Sequence, residues 1–203
     1  MIVAYSISTD FNGSRMLGYK SSPALAQPYP LYGWRYILDG KLHPATCPTC
    51  GRKTDPDYVD PTFKVRKWSF EFSSTYDGYT IVSDRFRKFC RSRRLPGMKF
   101  VKLPAAPGFF WLRLSRVLPF DVKRRGTRVS LWCPTCRHFH SVAGATPAFI
   151  WGLKKPLKRG FYRTDLEFAS GSEQSPLEIV GIETADELQQ EHFKKILLKP
   201  IES

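Results

Sequence analysis

Two short segments of this 203-residue chain share the pattern Cys-Pro-Thr-Cys, at 47–50 and 133–136, and no other feature restricts the fold so strongly. Each pair offers two thiolates on one tight turn. Two such turns brought together make the tetrahedral four-sulfur cage of a structural metal site. Two intervening residues let both sulfurs face one ion while backbone N–H groups of the turn donate to them. The repeated Pro-Thr predicts that both turns have the same shape. A disulfide or redox-active pairing is the alternative chemistry of a CxxC. Two identical pairs, with no thioredoxin-like strand–helix context around either, favour a metal instead: zinc first, with iron the other ion that four thiolates accept. The expected ligands are Cys47, Cys50, Cys133 and Cys136, and the expected ion is a structural Zn²⁺. A closed four-cysteine site leaves no position for water or substrate, so it clamps the fold and catalyses nothing.

Charge is distributed unevenly. Residues 1–84 hold nine Lys/Arg and eight Asp/Glu, residues 85–163 hold 20 Lys/Arg and the single acid Asp121, and residues 164–203 hold three and nine. The middle segment, at a net +19, must attract something acidic: nucleic acid, anionic lipid, an acidic protein or, in part, the chain's own acidic tail. Phe109, Phe110, Trp111, Arg113 and Arg116, followed by the basic run Lys123 to Arg128, interleave rings with cations as a nucleic-acid surface does. The competing reading makes the rings core. Alternation puts Phe110, Leu112 and Leu114 on one face of a strand and leaves Trp111 and Arg113 on the other. Trp111, Arg113, Arg124 and Arg125 are therefore the candidates for contact with a partner, chosen on expected exposure. Lys154, Lys155, Lys158 and Arg159 flank Pro156 in a loop, where binding charges are usually placed. Arg52, Lys53, Arg137 and His138 adjoin the two cysteine pairs and offset the net negative charge of a zinc held by four thiolates.

The remaining chemistry is sparse. Of the four histidines, His138 and His140 stand beside the second pair, close enough to replace a cysteine or donate to a thiolate; with four cysteines available, both are expected to be ordinary polar residues. There is no HExxH, nucleophile elbow, P-loop or GxGxxG, and paired carboxylates are nearly absent from the basic middle, so no enzyme is expected. The opening Met-Ile-Val-Ala-Tyr-Ser has neither the basic start nor the long apolar stretch of a secretory signal. No segment approaches the ~18 uncharged apolar residues that span a bilayer. A cytoplasmic, reducing location is the expectation. Cys90, the fifth cysteine, is expected to pack as a small buried hydrophobe.

The pattern of elements predicts an α+β fold: a mixed or antiparallel sheet with few helices, organised as one unit over 1–203. A zinc-ribbon-like element is expected from 32–53 and 128–142, each part reading strand, knuckle, strand. Residues 54–127 form an insertion with a helix at 84–94, capped by Ser83 and carrying Phe86, Phe89 and Cys90 on its apolar face. Residues 1–30 read as a first strand followed by irregular chain around Pro23, Pro28 and Pro30. Tyr32 to Leu38 reads as a strand, Asp39-Gly40 as a turn, and Lys123 to Gly126 as a charged turn. The last part, 160–203, holds strands and a helix. Thr184 and Glu187 read as a capping box opening that helix, which runs to about Ile196, is expected at the surface, and precedes an edge strand from Leu197.

The two CPTC units, the helix beginning Ile81-Val-Ser-Asp-Arg-Phe and the ending Arg163-Thr-Asp-Leu-Glu-Phe … Ile179-Val-Gly … Leu188 together resemble the bacterial double-CXXCG motif proteins. Those in turn are similar to immunity proteins of polymorphic toxin systems. The resemblance runs from about residue 30 to the end, and its sharp motifs are the two CxxC units. It implies that Cys47, Cys50, Cys133 and Cys136 hold zinc and that the protein neutralises a cognate toxin by direct complex formation. A zinc-ribbon nucleic-acid-binding protein, using the basic segment 85–163, is the alternative. The sequence departs from the pattern in one place: Gly51 follows the first unit, but Arg137 follows the second. A non-glycine residue at positive φ costs about 1 kcal/mol, so the second knuckle is expected to turn differently.

Overall fold

The computed structural model describes residues 1–18, 36–66 and 70–203. The proline-rich stretch around Pro23 to Pro30 and the first part of the strand expected at Tyr32 to Leu38 lie outside the described residues.

The fold is α+β, built from largely antiparallel sheets and three short helices. The larger sheet combines β1 (Ile2–Ser8), β8 (Val117–Leu118), β9 (Arg128–Cys133), β10 (His138–Ala143), β11 (Phe161–Ser170), β12 (Ser175–Val180) and β13 (Leu197–Glu202). Its order is β13-β1-β12-β11-β10-β9, with β8 added to β11 in parallel. The smaller sheet has the order β4-β5-β7-β6, from β4 (Phe72–Ser74), β5 (Thr80–Ser83), β6 (Met98–Lys102) and β7 (Phe109–Leu114). A two-stranded hairpin, β2 (Ile37–Leu38) and β3 (Lys41–Leu42), turns at Asp39-Gly40 and stands apart from both sheets.

Helix α1 (Asp84–Ser92) begins where Ser83 accepts the Phe86 N–H at 3.2 Å. Its Phe86, Phe89 and Cys90 are buried. They pack with Phe72, Val82, Phe110 and Leu112 of the smaller sheet and with Phe161 and Val180 of the larger one. Cys90 is a core side chain, as expected, and burial pushes its thiol pKa up. The helix ends at Ser92, Arg94 just beyond it has positive φ, and the Leu95-Pro96-Gly97 turn meets β11 closely. A Cβ on Gly97 would lie 2.1 Å from the Phe161 carbonyl oxygen, so only glycine fits there.

A second cluster covers the opposite face of the smaller sheet. Met16, Leu17, Tyr36, Phe63 and Val65 pack there against Tyr79, Ile81, Phe109 and Trp111. Strand β7 is thus buried on both faces, which accounts for its nearly unbroken apolar run Phe-Phe-Trp-Leu-Arg-Leu. A third cluster joins Val3, Phe120, Ile150, Tyr162, Phe168 and Ile179 around the larger sheet.

Two helices differ from expectation. The charged turn at Lys123 to Gly126 is a single helical turn, α2 (Val122–Arg125), with Asp121 accepting the Arg124 N–H and Gly126 closing it in the left-handed region. Helix α3 (Ile182–Gln190) starts after Gly181, two residues before the expected cap, and stops short of Ile196. Thr184 is fully buried and accepts the Gly160 N–H at 2.8 Å, while Glu187 forms a two-pronged ion pair with Arg159. Both partners of the expected capping box are therefore held by other parts of the chain. Nor is α3 a surface helix, because Ala185 and Leu188 are buried in the first cluster. Strand β13 is the expected edge strand, paired to β1 and carrying Pro200.

Candidate metal centre

Each cysteine pair sits at the end of a turn whose backbone is closed the same way. In the first, the Gly51 N–H donates to the Cys47 carbonyl at 2.8 Å; in the second, the Arg137 N–H donates to the Cys133 carbonyl at 2.8 Å. Gly51 has φ 73° and Arg137 has φ 56°. The second knuckle therefore turns like the first, against the expectation raised by Arg137. The surroundings do differ. The second knuckle joins β9 to β10 as the turn of a regular hairpin, with His138 opposite Cys133. The first follows the β2–β3 hairpin and is flanked by an isolated bridge between Thr46 and Lys53 in place of a strand pair, so the strand-knuckle-strand pattern is complete at one knuckle alone.

The two turns face one another with matched contacts. Cys47 Sγ lies 3.8 Å from Cys133 Sγ, Cys50 Sγ lies 3.5 Å from Cys136 Sγ, and the Thr49 and Thr135 hydroxyls meet at 2.7 Å. All four sulfurs fall within 4.8 Å of one another, and none is in a disulfide. Sulfurs at the usual ~2.3 Å from a tetrahedral zinc stand about 3.8 Å apart. The cluster thus has the dimensions for one such ion, compatible with a zinc-ribbon-like element. Three of the cysteines are buried and Cys136 is partly so.

The thiols are unequal. Burial pushes Cys50 and Cys136 up. Burial also opposes the Cys133 thiolate, but the Cys136 N–H, the Cys50 thiol and the Thr135 N–H outweigh it and bring that group down to about 7. A cation at the centre favours the thiolate form of all four, so metal affinity rises with pH.

Neighbouring side chains brace the centre more than they neutralise it. The Arg52 guanidinium donates to Glu167 at 2.6 Å and to the Gln174 side-chain carbonyl at 2.6 Å, tying the first knuckle to β11 and the turn after it. Lys53 donates to the Asp77 carbonyl at 2.5 Å and lies over the Tyr79 ring; burial lowers its pKa. His138 Nδ1–H donates to the Cys136 carbonyl at 2.5 Å and is outside the ligand set, as is buried His140.

The residues expected to face a partner scatter. Trp111 is 9% exposed and packs edge-on against Tyr79 at 5.1 Å, so its expected exposure is corrected: residues distant in sequence cover that face of β7. Arg113 lies over the Trp111 ring and pairs with Asp57. Arg124 is exposed, with its guanidinium 4.2 Å from the Phe149 ring centroid, and Arg125 donates to the Thr146 carbonyl. The acidic tail meets the basic middle in places, through Arg159–Glu187 and Arg85–Glu191.

Sequence reasoning missed two features. Between the sheets, beside the first knuckle, lies a cleft of about 380 Å³ lined by Arg52, Lys53, Trp111, Arg113, Arg163 and Glu178 among others. Glu178 accepts a hydrogen bond from the Thr80 hydroxyl at 2.5 Å, and burial raises its pKa to about 7. Its carboxyl is packed round by protein yet keeps one face on the cleft. A lone acid in the apolar run Leu177-Glu-Ile-Val was its only signal. The other feature is the exposed pair Trp132 and Phe139 on the β9–β10 hairpin, with ring centroids 5.1 Å apart.

No family model matches the chain, and no curated protein matches it. Among the described residues no helix is long and apolar enough to cross a membrane.

Proposed function

We propose that this chain is a non-enzymatic binding protein, braced by one structural zinc, that acts in the cytoplasm as an immunity protein and neutralises a cognate toxin by forming a complex with it. The observation that carries the reading is the position of the cysteine cluster. It ties the turn of an exposed hairpin, β9–β10, to the first knuckle and, through Arg52, to β11. Four thiolates saturate a tetrahedral ion, so the centre offers rigidity and no reactive position. Exposed Trp132, Leu131, Val129 and Phe139 on that hairpin supply the aromatic and aliphatic contacts typical of protein interfaces. The resemblance of the CPTC units and the flanking segments to double-CXXCG proteins supports the toxin-neutralising role.

The test is co-expression with the toxin encoded beside the gene. Growth is restored and a one-to-one complex co-purifies; persistent toxicity with soluble, zinc-loaded protein present would refute the role. The second reading, nucleic-acid binding, is favoured by the same exposed rings among basic residues. It predicts affinity for single-stranded oligonucleotide that falls steeply on a log–log salt plot.

A further inference from the structure

Strand β9 is the free end of the larger sheet: among the described residues β10 pairs with one side of it and no strand with the other. Five of its six residues are exposed, and only Cys133 is buried. Proteins ordinarily blunt such an edge with charge, proline or a covering loop. Here Arg128 is the one charge on the strand and Leu131, at φ 60°, its one residue out of extended geometry, while Val129, Leu131 and Trp132 stand exposed. The strand is also held in place, because its end enters the metal knuckle.

Its neighbours in the sequence are of one sign. From residue 122 to 143 the chain carries Lys123, Arg124, Arg125, Arg128 and Arg137 and no acid. Asp121, just before, is engaged in capping α2. We propose that the outer edge of β9 is a docking strand for an extended, acidic segment of a partner protein, which joins the larger sheet as a further strand. Main-chain N–H and C=O groups of β9 give the binding, and alternate side chains of the incoming strand give the selectivity. Carboxylates on that segment meet exposed Arg128, while its apolar side chains cover Leu131 and Trp132.

Charge decides between occupants. A second copy pairing edge to edge brings together two chains of net charge +14 along stretches that hold five cations and no acid, which is repulsive. A nucleic acid has no strand edge to offer the unpaired backbone, and Trp132 and Phe139 already engage each other at an interplanar angle of 67°. The proposal rests on the reading of the chain as a binding protein and names its surface.

The test uses the full, zinc-loaded chain labelled with ¹⁵N and a peptide of about ten residues alternating Glu with Val or Tyr. Comparison ligands are the same peptide with Lys for Glu and a short oligothymidylate. The Glu peptide is expected to shift the amides of residues 128–132 and slow their exchange. Trp132→Ala combined with Arg128→Glu weakens binding at least about tenfold, and Val129→Glu, at another exposed side chain, does the same. Equal binding of the Lys peptide, protection elsewhere or none, stronger occupation of β9 by the oligonucleotide, or dimerisation through β9 would each overturn the proposal. In the growth assay, rescue undiminished by these variants sinks the docking strand and leaves the toxin reading intact. Absence of rescue by the unaltered chain sinks the toxin reading and leaves the peptide result standing.

Discussion

Gly51 and Arg137 occupy equivalent places in the two knuckles: each donates its N–H to the carbonyl of the first cysteine of its pair at 2.8 Å, and each does so at positive φ. The same backbone is reached by a residue that adopts it freely and by one that adopts it at a cost. Gly51→Ala is therefore expected to destabilise the zinc-loaded protein by about 1 kcal/mol. Arg137→Gly gains less than about 1 kcal/mol, because the relief of strain is partly offset by a more flexible unfolded chain. Urea unfolding checks both; equal effects of the same sign would refute the equivalence.

The sulfur separations of 3.8 and 3.5 Å lead to a metal prediction. Purified protein is expected to carry one zinc per chain and to lose it on Cys133→Ser. A site held at about a thousandfold over its Kd contributes about 4 kcal/mol, so chelation lowers Tm markedly and readdition of zinc restores it. The loss concentrates in β9–β10 and residues 45–54, read by amide exchange. Metal-free protein with an unchanged Tm would remove the clamp.

Glu178 sets a pH dependence. Its folded carboxyl holds a proton up to about pH 7, whereas an ordinary glutamate releases it near 4.5. Between those values the folded state alone keeps the proton, so this contribution to stability is full below about 4.5 and is lost as pH rises through about 7. The face open to the cleft tempers the size, to roughly 2 kcal/mol. Glu178→Gln keeps an acceptor for the Thr80 hydroxyl, removes the slope and is the more stable protein near pH 8. Denaturant midpoints across this range for the two proteins decide it; parallel curves would refute it.

Much of this was legible because the signals are local. Cys47, Cys50, Cys133 and Cys136 declare themselves by spacing, β9 and β10 flank the second pair directly, and Ser83 caps α1 from three residues away. What escaped depends on distant chain. Alternation showed which side of β7 Trp111 occupies, but not that Met16, Leu17, Phe63 and Val65 cover that side. Thr184 has the sequence of a cap, yet its hydroxyl is taken by Gly160, 24 residues earlier. Glu178 acquires its environment only when Thr80 of the other sheet arrives beside it. Conversely, nothing local marks Trp132 as an exposed ring; the edge position of β9 makes it one.

The two tryptophans make that difference measurable. Trp111 is buried against Tyr79 and Ile81, and nothing of its size can refill the space, so Trp111→Ala costs about 3–5 kcal/mol. Trp132 is 51% exposed and touches chiefly Phe139, so Trp132→Ala costs under about 1 kcal/mol. Partner affinity moves the opposite way: Trp132→Ala weakens it, whereas any Trp111 variant that remains folded binds normally. Thermal unfolding and titration of the same two variants check both halves. A Trp111 variant that is stable but fails to bind would return that residue to the interface and take β9 out of it.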